Sequence, residues 1–73
     1  MPFYVNTTRF PAIVTLKISG PDDLKVDIQT GANDVFEKIK ASTGYWDIQV
    51  RAGDEIDLLG QPDVILVAVR SVP

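Results

Sequence analysis

At 73 residues with a net charge of −3, the chain has room for one domain, and a domain of this size buries only about 60% of the surface its unfolded chain exposes. An apolar share of 45% against 23% charged residues is that of a globular chain and excludes a disordered one. With no cysteine and no histidine, it lacks disulfides, thiolate or imidazole zinc cages, the commonest general base and the best side-chain nucleophile.

The first segment, residues 1–11, reads as an N-terminal arm: two prolines, a polar centre, and Phe3, Tyr4, Val5 and Phe10 as anchors. A secretory leader needs an unbroken apolar core, which Asn6, Thr7, Thr8 and Arg9 interrupt, so a cytoplasmic protein is expected. Asn6-Thr7-Thr8 matches the glycan acceptor pattern, a triplet that arises often by chance and matters only in a secreted chain.

The folded domain is expected over 12–73. From Ala12 to Ser19 the residues alternate, with Ala12, Val14, Leu16 and Ile18 on one face and Ile13, Thr15, Lys17 and Ser19 on the other, as in a half-buried strand. Gly20-Pro21-Asp22-Asp23 is dense in turn formers, and Leu24, Val26 and Ile28 then alternate with Lys25, Asp27 and Gln29. Together they predict an antiparallel hairpin. Ala32, Val35, Phe36 and Ile39 recur at i, i+3, i+4 and i+7, which predicts a helix over Thr30 to Gly44, with Thr30 or Asn33 as cap. Trp46, Ile48 and Val50 alternate with Asp47, Gln49 and Arg51 in a third strand, and Ile56 and Leu58 form a short extended piece after the turn Ala52-Gly53-Asp54-Glu55. Val64 to Val69 is apolar on both faces, the pattern of a central strand, and falls far short of the roughly 20 residues that cross a bilayer.

This order, ββαββ, resolves as an α+β fold: a four-stranded mixed sheet, first and last strands parallel in the middle, one helix on one face. The arrangement is the β-grasp. Across Ala12 to Val72 the chain resembles the ubiquitin-like superfamily, and most nearly its small bacterial domains. The resemblance is carried by Ile13-Val14-Thr15-Leu16-Lys17-Ile18, Asp34-Val35-Phe36-Glu37-Lys38-Ile39 and Val64-Ile65-Leu66-Val67-Ala68-Val69-Arg70, with Trp46-Asp47-Ile48 and Ile56-Asp57-Leu58 between. It implies a surface that recognises another protein. Family members that are conjugated or carry sulfur end in Gly-Gly, whereas this chain reads Arg70-Ser71-Val72-Pro73, too bulky and stiff for an activating enzyme's channel. A modifier or sulfur-carrier role is therefore disfavoured.

No catalytic or metal-binding residue and no cofactor is expected. Asp22-Asp23 and Asp54, Glu55 and Asp57 are acidic clusters, but their spacing is not that of a calcium loop, and they read as solvated turn carboxylates. Thr30-Gly31 lacks the glycines and lysine of a phosphate loop. The acidic balance opposes nucleic acid, which leaves an accessory role there as a third alternative, and Trp46 reads as core rather than as a stacking platform. No membrane-binding helix is seen. What remains is a non-enzymatic interaction module or adaptor. Its partner-binding face is expected on the open side of the sheet: Leu66, Ala68 and Arg70 of the last strand beside Ile13 and Lys17 of a parallel neighbour. The competing expectation is that the arm folds back over this face through Phe3, Tyr4 or Phe10. A homodimer through the strand edge Leu24 to Thr30 is the further partner expectation.

Overall fold

The computed structural model describes residues 2–60 and 62–72. It contains seven β-strands and, among the described residues, no helix: β1 (Tyr4–Val5), β2 (Ala12–Ser19), β3 (Lys25–Ala32), β4 (Val35–Ser42), β5 (Gly44–Val50), β6 (Glu55–Leu58) and β7 (Asp63–Ser71). They form two antiparallel sheets, a four-stranded one in the order β1-β6-β3-β4 and a three-stranded one in the order β5-β2-β7.

The sheets pack face to face because β2 to β6 each turn apolar side chains to the space between them. Val14, Leu16 and Ile18 of β2 and Ile48 and Val50 of β5 meet Val26 and Ile28 of β3, Ala41 of β4 and Ile56 of β6 in one buried cluster. Phe3, Tyr4, Leu24, Ile39, Trp46, Leu58 and Val64 pack around it. Trp46 is half-buried there, its Nε1–H donating to the Ser42 carbonyl at 2.8 Å.

The β-grasp expectation is overturned, at the expected helix first. Residues 30–44 form the end of β3, a two-residue turn, β4 and the start of β5. Asn33 and Asp34 both take positive φ (53° and 66°), the backbone of a type I′ hairpin turn, whose twist matches that of the strands it joins. The stripe Ala32, Val35, Phe36 and Ile39 is a coincidence of spacing. Val35, Ile39 and Ala41 also obey a period of two, and β3 and β4 pair along their whole length from Lys25↔Ser42 to Ala32↔Val35. Gly31 belongs to this geometry, since a Cβ there would collide with the carbonyl oxygen of Val35.

The expected first hairpin is corrected as well. Both of its strands exist, but Gly20–Leu24 carries the chain from one sheet to the other, so the apolar faces of β2 and β3 stack across the core. The last strand is likewise neither central nor parallel to the first. β7 runs antiparallel to β2 and ends the three-stranded sheet.

The N-terminal segment adds β1 to the edge of the four-stranded sheet, where Tyr4 pairs with Ile56. It is pinned by Asn6, the one buried polar side chain among the described residues, at 0% exposure. Its amide nitrogen donates to the carbonyls of Phe10, Val50 and Arg51 at 2.9–3.2 Å, and its Oδ1 accepts from the backbone N–H and hydroxyl of Thr8. Its backbone bonds Asp54 and Gly53. One side chain thus ties the β1–β2 loop to the β5–β6 turn and closes that end of the sandwich. A glycan on that amide would displace these bonds and is incompatible with this packing.

Candidate functional site: the edge strand β7

β7 is apolar from Val64 to Val69 with a charge at each end, Asp63 and Arg70. On one side it bonds β2; on the other it is the sheet's edge. Its register has one irregularity. Leu16 pairs with Leu66 and Thr15 with Ala68, which leaves Val67 as the extra residue of a β-bulge. The bulge reverses the alternation. Val64, Leu66, Val69 and Ser71 lie opposite the core-facing residues of β2, while Asp63, Ile65, Ala68 and Arg70 lie opposite its outward residues.

Only Val64 among these packs on the core. Leu66 and Val69 stay 42% and 41% exposed although they point to the core side, so the four-stranded sheet leaves this margin partly uncovered. On the outer side Ile65 is 53% exposed, and Val67 at the bulge is 48% exposed. The strand therefore presents apolar side chains on both faces together with an unpaired backbone edge. Such an edge is a ready template for another strand.

Of the residues singled out from sequence, Ile13, Lys17, Ala68 and Arg70 share the outer face of the three-stranded sheet, with Ile13 directly across from Arg70. The neighbouring strand is antiparallel, and Leu66 is turned to the other face by the bulge. Ile65, opposite Lys17, stands where Leu66 was expected. Towards β5 this face becomes polar: the Thr15 hydroxyl donates to Asp47 at 2.6 Å, and the Lys17 ammonium lies 5.7 Å from the centre of the exposed Tyr45 ring. Phe3 and Tyr4 pack against the core rather than over this face, and Phe10 is 51% exposed. Sequence reasoning missed Ile65, Val67 and Val69. A two-faced apolar run fits a central strand and an unguarded edge equally well, and a bulge leaves no local signature.

The remaining surfaces are differently built. The edge expected for dimerisation, Leu24 to Thr30, is occupied: Leu24 precedes β3 and packs against the core, Lys25 to Thr30 pair with β4, and Ile28 to Thr30 pair on their other side with β6. On the outward face of the four-stranded sheet, Glu55 and Asp57 stand side by side; partial burial, then the Asp57 carboxylate, raise the Glu55 pKa above its ordinary value. Asp54 instead lines an open cleft of about 510 Å³ between the tip of the β3–β4 hairpin and the end of β5, with Thr30, Glu37, Gln49 and Arg51. Among the described residues no three carboxylates gather as a metal cage requires. No helix among them is long and apolar enough to cross a membrane.

Compared with protein-family models, with curated proteins and with solved structures, the chain finds no match.

Proposed function

We propose that this chain is a non-enzymatic protein-interaction module, an adaptor or assembly subunit, whose docking element is β7, with the cytoplasm as its compartment. The observation that carries the reading is the exposure of Ile65, Leu66, Val67 and Val69 on an edge strand. Strand addition supplies affinity through main-chain hydrogen bonds and specificity through alternate side chains, and β7 offers both. The outer face of the same sheet, with Ile13, Lys17 and Arg70, would frame the bound partner with positive charge.

Affinity capture from native extract with the wild-type chain and a Val67→Lys variant tests this. Val67 lacks a cross-strand partner and is half exposed, so lysine there leaves the core intact while placing a charge in the docked edge. A partner retained by the wild type and lost by the variant, at unchanged melting temperature, is the expected result. Equal recovery by both overturns the reading.

A further inference from the structure

We infer that the occupant of the β7 edge is a second copy of this chain, its β7 antiparallel to the first about a two-fold axis through Leu66. This inference rests on the reading of β7 as the docking strand. Residues opposed across two strands must point to the same face, and with Val67 set aside by the bulge the strand is self-complementary under that rule. Leu66 meets Leu66 of the other copy, Ile65 meets Ala68, Val64 meets Val69, and Asp63 meets Arg70. Every outward residue from Asp63 to Arg70 faces an outward one and every inward residue an inward one. Without the bulge, equal spacing would set Asp63 opposite Val69 and leave both charges unmatched.

The charges point to the same partner. Among the described residues neither Asp63 nor Arg70 has an ion-pair partner within its own chain; their neighbours on β2 are Ser19 and Ile13. A partner strand complementary to them brings a cation opposite Asp63 and an anion opposite Arg70 with apolar residues between. The reversed β7 is such a strand, and the two-fold axis makes both pairs at once. The contact is isologous and closes on itself, joining two three-stranded sheets into one of six and leaving no free β7 for a third copy.

Sedimentation velocity over a concentration series is the test, with charge exchange at the strand ends. Asp63→Arg and Arg70→Asp each turn two symmetric attractions into repulsions and should raise the dimer dissociation constant about tenfold. The double variant, Asp63→Arg with Arg70→Asp, should recover the wild-type value. Since the chain has no cysteine, Leu66→Cys should form an intermolecular disulfide on mild oxidation, whereas Val35→Cys at the distant hairpin tip should not. A wild-type monomer at every concentration, or a dimer indifferent to the charge exchanges, overturns the inference. If the monomer still loses capture of a different protein through Val67→Lys, self-pairing fails and the docking reading stands; if that substitution changes neither association nor capture, both fail.

Discussion

β4 and β7 are strands of nearly equal length, 8 and 9 residues, each at the edge of its sheet, and they treat that position in opposite ways. β4 carries Glu37, Lys38 and Lys40, all exposed, with Lys40 3.8 Å from Asp27 on the neighbouring strand. Adding a strand there would strip water from three charges, a device by which sheets avoid unwanted pairing. β7 has no charge between Asp63 and Arg70. The contrast teaches that the edge is made sticky or inert by its side chains, since the backbone offers the same unpaired groups in both. The other two edges are blunted as well: β1 has only two residues, and β5 presents Asp47 and Gln49.

The largest expected effect removes the frame on which both edges hang. Asn6→Ala leaves several enclosed backbone groups without partners and should cost about 2–4 kcal/mol, a large part of the roughly 4–11 kcal/mol expected for a domain of this length. Urea denaturation should show it, and hydrogen exchange should show β4 and β7 losing protection together. Val67→Lys should instead act on one edge alone, weakening association through β7 about a hundredfold, as read by sedimentation, with the urea midpoint unmoved. Opening the guarded edge is the converse experiment. Lys38→Val combined with Lys40→Val should create new, concentration-dependent association that Val67→Lys does not reverse; absence of association would show that β4 is inert for another reason.

The smallest effect concerns Glu55, on the outward face of the four-stranded sheet. Its raised pKa means that the folded chain holds the proton more tightly than the unfolded one. That contribution is full below the unfolded pKa and is lost as pH rises through the folded value. Glu55→Gln should therefore make the protein slightly more stable than wild type at neutral pH, with the difference shrinking towards pH 4. Melting temperatures across that range measure it, and association through β7 should be unaffected.

Several strands were legible in the sequence because their alternation reports a one-sided environment. Ala12–Ser19 matches β2, Trp46–Val50 lies within β5, and Ile56 and Leu58 mark β6. The hairpin at Asn33-Asp34 was obscured by an accidental helical spacing, although two turn-forming residues between alternating segments were the better signal. Asn6 was unreadable as a pin, since four of its five side-chain hydrogen-bonding partners are backbone groups, which look alike in any sequence. Of the candidate face, Ile13, Lys17, Ala68 and Arg70 come together, and Leu66 does not, because one bulged residue moves everything beyond it to the opposite side.

By itself, the sequence determined which residues seek water and which avoid it, hence the inward rows of β2, β3 and β5 and the apolar character of β7. Only the tertiary structure decided which strands became neighbours and that β7 would stand at an edge. The physical reason is that alternation records burial on a face, whereas hydrogen-bond pairing runs sideways through backbone groups that every residue carries alike.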